Sequence, residues 1–235
     1  MLSLRLSMAL RTSRLKTVFT SLLVLGAFAA GLWALMHWRS SHAPLPSKAN
    51  WQAGPVTLNA LDLTWQNYGA EAQAAAKRFD LPADYLLALI TLECSGRKPA
   101  GSRFEPGVHN RLLAVRSGDR RKYEQVKTTH LADASDAAVT NLATSWGPFQ
   151  LMGYKCIDME VNISDIRGDS AVWHGARWIA EEYGKHLRKG HFKDAFHIHN
   201  TGRKYPTVGG PRTHDPTYVE KGLERMGWFR EKLEE

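Results

Sequence analysis

Glu93 lies near the end of a run, residues 81–96, whose apolar residues recur at helical spacing. Leu86, Leu89 and Ile90 precede it by seven, four and three residues, so a helix carries its carboxyl on the same face as that aliphatic stripe. A carboxyl held against aliphatic neighbours is partly withdrawn from water. Its charged form is then disfavoured and its pKa rises toward the value a general acid needs. The plainer alternative is a glutamate that tilts into solvent at the helix end or pairs with a basic neighbour such as Arg97.

Other chemistries find less support. Histidines at 191, 197, 199 and 214 invite a metal, yet no His-x-x-Glu-His or equivalent spacing fixes a ligand set, so neither metal nor cofactor is expected. A zinc peptidase would need such ordered ligands. The chain has neither a phosphate-cradling glycine loop nor a Gly-x-Ser-x-Gly elbow. Formal charge is +8, but Arg5, Arg11, Arg14, Lys16 and Arg39 supply five of those charges within residues 1–42, where there are no acids. A nucleic-acid binder carries its excess as a stripe on the folded domain, so nucleic acid is not an expected partner.

The elements that must position Glu93 are mainly helical. The patterns predict helices over 69–79 and 82–95, the second opened by Pro82 and closed by Gly96, followed by loop from 97 to 108. Further helices are predicted near 110–116, 119–127 and 133–143, from about Ser170 to Leu187 behind a cap at Asp169, near 191–199, and from Pro216 to about Lys232. Gly147 to Tyr154 suits a short hairpin or extended turn, and nothing else demands a strand. The class is mainly α with a minor β element.

Between Lys16 and Arg39, residues 17–38 carry no Asp, Glu, Lys or Arg, and as a helix they would extend roughly 33 Å, enough to cross a bilayer. The expected organisation is a basic cytoplasmic segment (1–16), a transmembrane anchor (17–38), a proline-bearing linker (39–50) and one domain (51–235). The basic residues ahead of the anchor keep the N-terminus inside and export the rest. A signal peptide cleaved near Ala27-Phe28-Ala29, releasing the domain, is the alternative.

The run 81–96 resembles the catalytic helix of soluble lytic transglycosylases and goose-type lysozymes, whose acid is the Glu of a Glu-Ser pair; here Cys94 is inserted between Glu93 and Ser95. Downstream, Ser145-Trp146-Gly147-Pro148-Phe149-Gln150-Leu151-Met152-Gly153 is similar to the Gly-x-x-Gln turn of those enzymes. It matches more closely the Ser-Trp-Gly block of the N-acetylmuramidase family, as does Phe104-Glu105-Pro106 with that family's Phe-Glu-Pro segment. His199-Asn200-Thr201-Gly202 stands where relatives carry Tyr-Asn-x-Gly. The long separation of Glu93 from Gln150 also favours the muramidase branch.

The resemblance implies a lysozyme-like α+β domain that cleaves the β-1,4 bond between N-acetylmuramic acid and N-acetylglucosamine, in the periplasm and tethered to the bacterial inner membrane. Glu93 would be the acid and Glu105 the second carboxylate, with bracing of its loop as the alternative for Glu105. Gln150 and Asn200 would hold sugar, Tyr218 would line the cleft, and Trp146, Phe149 and Tyr154 would offer stacking faces or serve as core. Cys94 and Cys156, both on the exported side and carried by motifs that converge on one cleft, would pair as a disulfide, with two buried free thiols as the alternative. A lytic transglycosylase leaving 1,6-anhydro ends is the alternative activity, and an inactive glycan-binding scaffold a second. Glycan strands and, through the N-terminal helix, the membrane are the expected partners, and a role beside an envelope-spanning secretion or conjugation apparatus is left open.

Overall fold

The computed structural model describes Asn59 to Glu235. The expected basic segment, anchor and linker lie outside those residues. Among the described residues, no helix is long and apolar enough to cross a membrane.

Helix α1 (Ala60–Phe79) starts well before the predicted residue 69, because the Asn59 side chain accepts from the amides of Leu61 and Asp62. Helix α2 (Ala83–Cys94) follows, and Leu86, Leu89 and Ile90 are fully buried, as are Leu87 and Ala88. A helix buried on nearly every side is the central post of the domain. It packs between α1 and the C-terminal helix α11 (Tyr218–Glu234). Arg230 on α11 donates from Nε and Nη2 to Asp84 Oδ2 at 3.0 and 2.9 Å, tying the start of α2 to that helix.

The stretch 97–108 is not all loop. Strand β1 (Ser102–Phe104) and the first turn of α3 (Pro106–Ser117) occupy it. Residues 119–127, predicted helical, instead form a two-stranded hairpin, β2 (Lys122–Tyr123) with β3 (Val126–Lys127), turned at Glu124 in the left-handed region with φ 51°. The cause is tertiary: Val126 is buried in a small cluster with Leu112, Val115, Leu131, Val139 and Ala143, and that burial outweighs the helix propensity of the basic residues before it. Short α4 (Thr128–Leu131) and α5 (Asp136–Leu142) complete this smaller lobe.

The hairpin or turn expected over 147–154 starts earlier than expected: β4 (Thr144–Trp146) precedes that stretch, only the turn and β5 (Leu151–Met152) fall within it, and β1 pairs antiparallel with β4 to give a three-stranded sheet in the order β1-β4-β5. Leu142, just ahead of β4, packs against both hydrophobic clusters. The remaining helices are α6 (Lys155–Met159), α7 (Ile163–Arg167), α8 (Ala171–Glu182), α9 (Gly184–Leu187) and α10 (Phe192–Thr201). The single helix predicted from 170 to 187 is broken at Tyr183, whose φ of −142° leaves the helical region. It starts behind Ser170 rather than Asp169, with no side-chain cap bond. A mainly helical domain with this small antiparallel sheet is a lysozyme-like α+β fold.

Candidate active site

Glu93 is the penultimate residue of α2, and the turn after it is held from α1. Thr91 donates to Thr64 Oγ1 at 2.8 Å, Asn67 Nδ2 to the Gly96 carbonyl at 2.8 Å, and the Tyr68 hydroxyl to the Arg97 carbonyl at 2.6 Å. Gly96 must be glycine: at φ +71° a Cβ would stand 2.4 Å from the Thr64 amide nitrogen. The end of α2, and with it the carboxyl, is therefore fixed by contacts across 25 to 30 residues of chain rather than by its own helix alone.

The Glu93 side chain is 16% exposed, so it reaches solvent while most of it is packed. Burial pushes its pKa up to about 7, against the smaller opposing pull of a hydrogen bond from Tyr218 and of the Arg103 charge. The Tyr218 hydroxyl, at the start of α11, donates to Glu93 Oε1. Tyr218 is itself buried, and both burial and the Glu93 charge raise its own pKa well above the usual tyrosine value. It is a permanent neutral donor.

His199 lies beneath Glu93, its Nε2 3.9 Å from Oε1. That approach is not an ion pair, because burial lowers the His199 pKa to about 4 and the ring is neutral at pH 7. Its tautomer follows from its partners. The Phe149 carbonyl, 3.0 Å from Nε2, can only accept, so Nε2 carries the proton. Nδ1 then accepts from the Tyr183 hydroxyl at 2.8 Å, which in turn accepts from the Tyr85 hydroxyl at 3.2 Å. Where relatives in the resemblance carry a tyrosine, this chain has a buried imidazole that joins α10 to the turn after β4. The break at Tyr183 and the relay from Tyr85 have no counterpart in the sequence patterns, which run one helix from 170 to 187 straight through Tyr183.

The other expected site residues separate into two groups. Glu105 precedes the first turn of α3 and is paired with Arg103 Nε at 2.9 Å. Arg103, on β1, is close enough to Glu93 to draw its pKa downward, so this guanidinium stands in the fields of both carboxylates. Sequence reasoning passed over Arg103 although it adjoins the Phe-Glu-Pro segment. Asn200 is exposed in the last turn of α10.

Gln150, expected to hold sugar, turns its amide inward. Its Oε1 accepts from Ser145 at 2.9 Å and its Nε2 donates to the Gly147 carbonyl at 2.9 Å and, at 3.4 Å, to that of Gly101. It braces the turn between β4 and β5 and ties the turn to the segment before β1. Trp146 is a core residue, 2% exposed, its indole donating to the Asn141 carbonyl at 2.9 Å, so it presents no stacking face. Phe149 is likewise buried. Tyr154 is half-buried against Tyr123, with Lys155 over its ring at 5.4 Å.

The expected disulfide is absent: Cys94 and Cys156 are both buried free thiols. The motifs converge but the thiols do not. Cys94 turns toward α1, donating to the Ile90 carbonyl at 3.3 Å and lying beside Tyr68, whereas Cys156 on α6 senses the charge of Asp165.

No protein-family model matches the chain, and no curated protein matches it. Among solved structures it is similar to the crystal structure of a Burkholderia AP3 phage endolysin, with a TM-score of 0.50 and 19% sequence identity over 70% of each chain. At that identity the likeness speaks for the fold alone.

Proposed function

We propose that the domain cleaves the glycan strands of peptidoglycan at the β-1,4 bond between N-acetylmuramic acid and N-acetylglucosamine, with Glu93 as the general acid. The observation that carries this reading is a solvent-reaching carboxyl whose burial raises its pKa to about 7. At neutral pH such a group holds a proton in a large fraction of molecules and can deliver it to the leaving glycosidic oxygen as the bond breaks. The endolysin-like fold and the ordered motifs of the resemblance support the same substrate.

The second carboxylate decides the outcome. Glu105 as base would direct water to the anomeric carbon and give hydrolysis. A specific observation favours the other course: Glu105 is engaged by Arg103, and a transglycosylase needs only Glu93, first as acid and then as base toward the 6-hydroxyl of the muramic acid. Hydrolysis is the first reading because the Arg103 side of the pair is exposed at 72% while Glu105 is partly buried at 31%, and a pair open to solvent on one side is weak enough to open. Mass spectrometry of digested strands separates the two. Reducing muramic acid ends are expected; dominant 1,6-anhydro ends, lighter by one water, would overturn the hydrolase assignment and the base role of Glu105.

Tyr218→Phe supplies a test of the acid itself. The hydroxyl donates to Glu93 and so favours the ionised form. Without it the pKa rises, the protonated acid persists to higher pH, and the alkaline limb of kcat/KM is expected to move upward. A Tyr218 that served only to pack would leave the limb in place.

A further inference from the structure

Among the described residues, one cluster of ligating side chains lies outside the groups around Glu93. Helix α9, the turn at Gly190 and the first turn of α10 bring His186, His191 and Asp194 together, with one ligand atom of each within 4.8 Å of the others. We infer that these three residues bind a single divalent transition-metal ion, zinc by preference, which fastens the entry of α10.

His186 is 7% exposed, and its buried Nδ1 has no hydrogen-bond partner among the described residues. A buried imidazole nitrogen left so is costly, and the group it faces is Asp194 Oδ2 at 3.7 Å, beyond hydrogen-bond length. The carboxylate is aimed by a second contact, since its Oδ1 accepts from the Tyr205 amide at 3.2 Å. An outer bond of that kind orients a metal ligand and keeps the other oxygen free to coordinate. His191 is placed by the backbone. Its amide donates to the His186 carbonyl at 2.8 Å, which sets the two imidazoles 6.0 Å apart between centroids.

Two imidazoles and one carboxylate are a zinc donor set, with a fourth position left to water. Around a tetrahedral zinc with bonds of about 2.0–2.1 Å, donor atoms stand roughly 3.3 Å apart. The His186–Asp194 separation is already near that value, and the exposed His191 side chain closes the rest by rotating. The charges of Lys204 and Lys185, which act on His186, oppose a cation. A dissociation constant on the order of a micromolar is therefore expected, far weaker than that of an all-protein structural zinc site.

The histidines singled out from sequence did not reveal this set because two of them are engaged elsewhere. His197 is bonded to the Arg203 carbonyl through Nδ1 and to the Arg212 amide through Nε2, and His199 belongs to the relay under Glu93. His186, the buried member, had been absorbed into the helix predicted to end at Leu187.

The test uses the full-length chain, stripped with EDTA, exchanged into buffer and titrated with zinc chloride. One zinc per chain is expected, with a melting temperature raised by about 5 °C at 100 μM metal. His191→Ala should abolish both, because His191 is exposed and makes no side-chain cap bond to α10, so the variant folds. Exposed His214 is the control, and His214→Ala should bind as the parent does. Absence of stoichiometric zinc at 100 μM, or equal binding by His191→Ala, would overturn the site. Neither readout depends on glycan cleavage, so failure here is distinct from failure of the Glu93 reading.

Discussion

Glu93→Gln is expected to lower peptidoglycan cleavage by about a thousandfold, within the 10²–10⁴ that a positioned general acid supplies. The amide keeps the shape of the carboxyl and can still accept from Tyr218, but it has no transferable proton. Stability should move the other way. Glu93 titrates at about 7 in the folded chain against an ordinary value of 4.5, so the native state prefers its protonated form. Its contribution is complete below about pH 4.5 and is lost as pH rises from there through 7. Above pH 7 the folded protein carries a partly buried charge worth on the order of 3 kcal/mol of destabilisation, which the glutamine removes. The variant should therefore show an unchanged circular dichroism spectrum and a higher melting temperature than the parent at pH 8. A folded Glu93→Gln protein that clears peptidoglycan at near-parental rate would dismiss Glu93 as the acid.

Gly147→Ala is expected to be the most damaging conservative change in the scaffold. Gly147 opens the turn between β4 and β5 at φ +72°, and a Cβ there would stand 2.1 Å from the Ile166 carbonyl oxygen. The left-handed conformation alone costs a non-glycine residue about 1–2 kcal/mol, and here the clash is with backbone at the end of α7, which cannot rotate away. A total of about 3 kcal/mol or more, seen as a melting temperature lower by roughly 10 °C, is the expected result. Cleavage should fall too, because the same turn carries the Phe149 carbonyl that holds His199 and the Gln150 amide that ties the turn to the β1 side. Gly227→Ala, on α11 with open space around the added methyl, provides the comparison and should leave stability unchanged or slightly raised. Equal melting temperatures for the two variants would mean that the turn does not adopt this geometry.

Sequence carried the helix around Glu93 because helical periodicity survives translation into burial: Leu86, Leu89 and Ile90 mark a face, and the structure buries it. It carried Tyr218 as a cleft residue only through resemblance, since no pattern in residues 216–232 distinguishes a tyrosine that reaches Glu93 from one in the core. The start of α1 was legible in principle, as Asn59 is a strong cap with an acid three residues on, but the periodic signal is strongest in the alanine-rich part of that helix and weak across its first turns. The hairpin at 122–127 was not legible. Two residues per strand are too few for alternation to register, and what forms it is a distant cluster around Val126. The inward turn of Gln150 depends on partners at 101, 145 and 147, which a motif match cannot supply.

The pH dependence of kcat/KM on soluble glycan fragments tests most directly whether Glu93 works as an acid held protonated near neutrality. This quantity reports ionisations of the free enzyme. His199, lowered to about 4, stays neutral across the range and cannot produce a limb near 7. A rate that is level through mildly acidic pH and falls above about 7, tenfold per pH unit, is expected from the burial of Glu93. A limb falling near 4.5, where an ordinary glutamate ionises, or cleavage that climbs through pH 7 to 9 without a falling limb, would contradict it.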